Sequence, residues 1–214
     1  MSEVFEKWWK NNSLDMFWYK HRLIMGFDPE NPNTIEESLY WKRVNNQREK
    51  CLDSKDPEYA ILNAPYFDKQ YHLQKWWEDL NDYDKKRFLI HVWFNKADGN
   101  LYGFDWWLPY FEEVGFISNI DETLPTEPIT LYRGIEPLFM KGMSWTPQIE
   151  MARHFSESVS LMEDKKLFKT EVDPEYILAI LEENAVGYKG ELITKGIEYV
   201  VNHQKLGKIE EFNY

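Results

Sequence analysis

The chain is nearly devoid of cysteine: Cys51 is the one thiol in 214 residues, which excludes a disulfide within a single chain. Lys50 and Lys55 flank it and could lower its pKa, although a buried inert cysteine is the commoner case. Positive charge is also scarce. Lysine and arginine total 25 against 37 aspartates and glutamates, a net charge of −12. So acidic a surface repels a nucleic-acid backbone unless a local basic patch overrides it. The densest basic run, Lys85-Lys86-Arg87, reads as the polar start of a helix, so bulk electrostatic binding of DNA or RNA is not expected. No apolar run reaches membrane-spanning length. The opening Met1-Ser2-Glu3-Val4-Phe5-Glu6 lacks the basic and hydrophobic stretches of a secretory signal, and the expectation is a cytoplasmic protein, in a host cytosol if phage-encoded. The five histidines (His21, His72, His91, His154, His203) show no metal-ligand spacing, and no metal is expected.

What the chain does have is aromatic residues, 17% of its length, enough to imply a packed core. Nine of the ten tryptophans precede residue 108, including the pairs Trp8-Trp9, Trp76-Trp77 and Trp106-Trp107. This first part, residues 1–118, reads as helical. Ile35 to Cys51 has helical composition after a proline-containing loop. Asp84 to Phe94 carries a broad apolar face with Asp84 as N-cap, and Asp98-Gly99 marks a turn. Tryptophans at helical spacing are usually interior, so a core role is preferred over an exposed docking surface.

Polar residues and two prolines between Ser118 and Pro128 mark a boundary, and the pattern changes beyond it. In residues 119–214, Ile129 to Tyr132 is β-branched and aromatic, a strand ending on Arg133, with Gly134 permitting a bend or close approach. Thr146-Pro147 reads as a cap and first helical position, followed by a helix with Ile149, Ala152, Phe155 and Val159 on one side. Leu167 to Val172 reads as a strand, Tyr176 to Leu181 as a short helix after Asp173-Pro174. Glu191 to Thr194 and Ile197 to Val201 read as two hairpin strands, with Ile209 to Phe212 a further one. The fold class is α+β with a mainly antiparallel sheet.

Arginine is rare in this second part. Arg133 and Arg153 are its two examples, although lysine is plentiful. A planar fork at the end of a strand suits bidentate phosphate recognition in a way lysine cannot. The order Tyr132-Arg133-Gly134, then Ser144-Trp145-Thr146 with Ala152 to Phe155 behind it, then Gly190-Glu191-Leu192-Ile193, resembles the ADP-ribosyltransferases of the Arg-Ser-Glu clade. The resemblance covers about residues 128–214; residues 1–118 resemble no family. It implies a split antiparallel sheet and NAD as substrate. It further implies Arg133 on NAD, the Gly134 backbone at the nicotinamide amide, and Ser144 and Thr146 supporting the site. Tyr132 and Trp145 belong to the same cofactor-binding motifs, and Glu191 is the implied catalytic carboxylate.

The chemistry is consistent with those residue types. Cleaving the bond between nicotinamide and ribose develops positive charge on the sugar, as glycoside hydrolysis does, and a fixed carboxylate stabilises it. Each residue also has a plainer use. Arg133 could pair with an acidic neighbour, Ser144 and Thr146 could cap a helix, and Glu191 could be one more solvated glutamate. Glu182, Glu183 and Glu198 are the other carboxylates that could take the role, in contexts that match less well. Many members carry a second carboxylate or glutamine two residues before the catalytic one. Here that position is Lys189, beside Tyr188, and a cation repels an arginine acceptor. The expected activity is therefore mono-ADP-ribosylation of a macromolecule other than at arginine. The alternatives are NAD glycohydrolysis, or a non-catalytic protein that binds a partner through its N-terminal region. An intracellular protein of this kind fits a phage, toxin or defence setting equally.

Overall fold

The computed structural model describes residues 35–95, 103–120, 122–157, 165–186 and 192–212. The chain divides into two compact units, Met1–Leu101 and Tyr102–Tyr214. The division falls before, not after, the helix that carries Trp106 and Trp107. The expected boundary near residue 118 follows composition, whereas this helix packs on a strand of the second unit.

In the first unit, α1 (Ile35–Asp53), α2 (Pro57–Asn63), α3 (Lys69–Trp76) and α4 (Asp82–Phe94) are joined by short turns. Two of the starts carry side-chain caps. The Asp56 carboxylate accepts the Glu58 N–H and Pro57 opens α2. Asn81, not Asp84, caps α4: its Oδ1 accepts the Asp84 N–H at 3.0 Å, and its Nδ2 donates to the Asp84 carboxylate at 2.7 Å. Phe67, Tyr71, Leu73, Trp77, Phe88, Leu89, Val92 and Trp93 fill the interior, and Cys51 is fully buried with them. Burial pushes the Cys51 thiol pKa up, so Lys50 and Lys55 do not activate it. No tryptophan whose side chain is described is exposed, which favours the core reading.

Polar groups are buried here too. Arg48 meets Asp68 at 2.7 Å. Lys69 donates to the Ile61 and Leu62 carbonyls at 3.3 and 2.8 Å, and its Nζ lies 3.0 Å from His91 Nε2. Desolvation lowers the Lys69 pKa to about 8.

The second unit is α+β. It opens with α5 (Phe104–Val114), set between Gly103 and Gly115, both at positive φ, with Trp107, Leu108 and Phe111 inward. Then follow β1 (Ile117–Ser118), β2 (Ile129–Ile135), β3 (Ser144–Trp145), α6 (Ile149–Glu157) and β4 (Lys166–Val172), and finally β5 (Ile177–Val186), β6 (Leu192–Val201) and β7 (Glu210–Glu211). Among the described residues there are two sheets, β1-β5-β6-β3 and β2-β4-β7. All pairs are antiparallel except β1 with β5. The sheets meet at one bridged pair, Tyr132 and Thr146, which exchange N–H···O bonds of 2.7 and 2.9 Å. Leu131, Phe168 and Val172 from one sheet pack with Trp145, Ile177, Ile180, Tyr199 and Val201 from the other.

Four elements differ from the sequence reading. Tyr176 to Leu181 is not a helix: the Asp173-Pro174 signal starts a single 310 turn, Pro174–Tyr176, and the apolar run after it is the buried strand β5. Glu191 to Thr194 and Ile197 to Val201 are not hairpin partners; residues 192–201 form one strand, paired with β5. Arg133 lies inside β2, which runs two residues further to Ile135. In α6 the inward position is Ala152, while Phe155 is exposed. Val159 and the turn at Asp98-Gly99 lie outside the described residues.

Candidate functional site

The site is built at the seam between the two sheets. Arg133 sits on β2 next to the bridged Tyr132, and Ser144 begins β3 two residues before the bridged Thr146. The seam therefore brings together the first two groups that the sequence singled out. The Arg133 Nη1 donates to the Ser144 carbonyl oxygen. Its guanidinium carbon lies 5.8 Å from the centre of the Phe104 ring. Its Nε is buried without a hydrogen-bond partner among the described residues, and none of their carboxylates forms a salt bridge with it. Burial lowers the Arg133 pKa to about 10, and the carboxylates of Glu198 and Glu136 act in the opposite direction. The group stays cationic at neutral pH, half-buried and partly unsatisfied. The plain alternative, a salt bridge to a neighbouring acid, is not formed with any carboxylate among the described residues.

Gly142 makes room for it. The glycine is buried, and a Cβ there would fall 2.6 Å from Arg133 Nη2 and 3.0 Å from Phe104 Cε2. The Gly142 carbonyl accepts the Trp145 indole N–H at 2.7 Å, which ties this loop to the core.

The carboxylate on the same face is Glu198. Ser144 pairs with Val200, and Trp145 with Tyr199. Residues directly opposite across a ladder share a face, and residues two apart on one strand do as well. Ser144, Val200 and Glu198 thus share one face of the sheet, while Tyr199 and Val201 turn into the core. Glu198 is half-buried and contributes to the field at Arg133. Glu182 pairs with Ile197 on the far side of β6, and its backbone is held by Asn119. Glu191, Lys189 and Tyr188 lie outside the described residues, as does the pairing expected of them.

The remaining motif residues have structural tasks. Trp145 is 2% exposed and its ring belongs to the core cluster, so its side chain does not face a ligand. Thr146 is buried and its Oγ1 accepts the Gln148 N–H at 3.1 Å. The Gln148 carbonyl then takes the first α6 bonds, so this helix begins two residues later than Pro147. Gly134 serves close packing: a Cβ there would overlap the Ala152 carbonyl oxygen of α6. The Tyr132 ring is half-buried, 5.7 Å from Phe212.

Phe104 and Gly142 were not singled out by sequence reasoning. Phe104 lies 29 residues before Arg133 in a segment assigned to the N-terminal part, and an isolated Lys-Gly-Met has no signature. Among the described residues no group of three or more histidine, cysteine, aspartate or glutamate side chains could hold a metal ion. None of their helices is long and apolar enough to cross a membrane. Comparison with protein-family models, curated proteins and solved structures finds no match.

Proposed function

We propose that the second unit is an NAD-dependent mono-ADP-ribosyltransferase, acting in the cytoplasm on a macromolecular acceptor other than at arginine. The observation that carries this reading is the Arg133 guanidinium: half-buried at the seam with its Nε enclosed, cationic, partly unsatisfied and free of a carboxylate salt bridge among the described residues. A buried cation is costly to leave in that state, and a phosphate oxygen would relieve it. The glycine cradle at Gly142 and the split of the antiparallel sheet at Tyr132 and Thr146 support the same reading, since a split sheet is what the resemblance implies.

In this reading Arg133 orients the pyrophosphate and the loop backbone before Ser144 approaches the nucleotide. The bond from ribose C1′ to nicotinamide breaks, nicotinamide leaves with the electron pair, and an acceptor nucleophile bonds to C1′ and releases a proton. A fixed carboxylate stabilises the sugar cation between those events. Among the described carboxylates Glu198 fits that task; Glu191, which the resemblance implies for it, lies outside the described residues. Glu198 shares a face with Ser144 and acts on Arg133 electrostatically. Lys189 two residues before Glu191 bears on acceptor choice only if Glu191 is the carboxylate; if it is Glu198, the corresponding position is Gly196, and no carboxylate there favours arginine either.

The test is incubation of labelled NAD in cell lysate with wild type, Glu198→Gln and Glu191→Gln protein. Label appears on a macromolecule with wild type and falls by about a hundredfold or more in Glu198→Gln, the scale of losing one well-placed electrostatic stabiliser. Glu191→Gln keeps most of it. The reverse pattern would move the assignment back to Glu191. Label found only in free ADP-ribose would make the protein an NAD glycohydrolase. No cleavage by folded wild type would overturn the NAD reading and favour a binding protein.

A further inference from the structure

The side chain that holds Arg133 in place comes from outside the three recognised motifs. Phe104 opens α5, and its ring lies between two cationic or ionisable groups: the Arg133 guanidinium at 5.8 Å and the His203 imidazole at 5.7 Å. Its Cε2 also lies over Gly142, where a Cβ would come within 3.0 Å. One aromatic face, one glycine and one carbonyl, that of Ser144, therefore define where the guanidinium sits.

The next residue fastens the aromatic in position. Asp105 accepts hydrogen bonds from Gln204 Nε2 at 2.8 Å and from His203 Nε2 at 3.0 Å, in the turn that follows β6. Further along α5, Glu112 accepts from Asn202 Nδ2 at 3.1 Å. The first turn of α5 is thus tied to the turn after β6, the strand that carries Glu198. A positive-φ glycine, Gly103, lets the chain enter the helix at this point.

We propose that Phe104 is a positioning residue for Arg133, and that the Asp105 bonds to His203 and Gln204 form the latch that holds it there. The assignment rests on the NAD reading of the site, but its physical core does not. An arginine without a carboxylate salt bridge has many rotamers open to it. An aromatic face supplies attraction to the guanidinium without neutralising the charge that a phosphate needs. A carboxylate in the same place would position the arginine equally well and compete with the ligand.

Two measurements on Phe104→Leu, Phe104→Tyr and Asp105→Ala test this, with folding checked by circular dichroism. The first is the Nε–Hε resonance of Arg133 in protein labelled with 15N-arginine, which needs no substrate. Wild type and Phe104→Tyr show a ring-current-shifted, slowly exchanging signal; Phe104→Leu loses the shift, and Asp105→Ala loses part of it. The second is NAD turnover. Loss of positioning that acts equally on bound substrate and transition state raises KM with kcat nearly unchanged. The KM rises about three- to tenfold in Phe104→Leu, as expected for one guanidinium–aromatic contact, and returns toward wild type in Phe104→Tyr. An Arg133 resonance unchanged in Phe104→Leu overturns the proposal whatever the turnover shows. Turnover absent from wild type, with the resonance shifted as described, overturns the NAD reading and leaves the positioning role standing.

Discussion

At the scale of single residues, two glycines next to the candidate site serve different ends. Gly142 leaves room for a guanidinium, whereas Gly134 leaves room for a helix. A methyl at 134 would overlap the Ala152 carbonyl oxygen and lie 2.5 Å from the Ser156 amide nitrogen, both main-chain atoms that cannot swing aside. Gly134→Ala is therefore expected to destabilise the protein by about 3 kcal/mol, the upper part of the range for overpacking, read as a lower urea midpoint. An unchanged midpoint would mean that α6 can lift from β2 at little cost. The consequence for function is direct. Lost activity in a Gly134 variant does not by itself place the residue at the nicotinamide, because the fold makes its own demand there. Arg133 is the opposite case: half-buried, cationic and spared any salt bridge with a described carboxylate, it has no comparable structural use.

At the scale of elements, side-chain caps mark the starts of α2 and α4 in the first unit. Asn81 both accepts from the Asp84 amide and donates to its side chain, so Asn81→Ala should cost about 1 kcal/mol, measured by denaturant unfolding with an unchanged m-value. A loss near zero would show that water replaces the cap. Parts of α1, α4 and α6, with β2 and β4, were legible in the sequence from apolar periodicity and β-branching, whereas α2, α3 and α5 were not singled out. β5 was not legible, since Asp173-Pro174 announces a helix start and the apolar run from Ile177 to Leu181 fits a buried helix as well as a buried strand. Its partner decided the matter: β6 pairs along its whole length and pins it as a strand. The same pairing bears on Glu198. Read as the second arm of a hairpin, it belonged to a supporting strand; as the seventh residue of one long strand, it shares a face with Ser144. Arg133 and Ser144 were legible as short motifs, while Phe104 depends on a long-range contact that no local pattern encodes.

At the scale of the whole molecule, acidity of the medium acts through two imidazoles, His72 fully buried and His91 half-buried. Burial, followed by neighbouring cations, lowers the pKa of His72 to about 3 and of His91 to about 4. Unfolding restores both to about 6.5. Between about pH 6.5 and 4 the unfolded chain binds protons that the folded chain refuses, so stability falls as pH falls through that window. The urea midpoint followed by tryptophan fluorescence should drop from pH 7 to pH 5, and less steeply in His72→Phe, which keeps an aromatic ring without the charge. An equal slope in that variant would assign the loss to other groups.

The bridged pair of Tyr132 and Thr146 has a consequence for how this unit can vary. Where two sheets share a long ladder, backbone geometry dictates their spacing. Here, among the described residues, one bridged pair joins the two backbones, the Arg133 side chain adds a bond to the Ser144 carbonyl, and the core between the sheets is apolar: Leu131 and Phe168 on one side, Trp145 and Tyr199 on the other. The spacing of the two sheets is thus largely a matter of side-chain volume. Substitutions deep in that interior, touching neither Arg133 nor Glu198, can widen or narrow the gap between them, so the tuning of this site lies in residues that no ligand would ever meet.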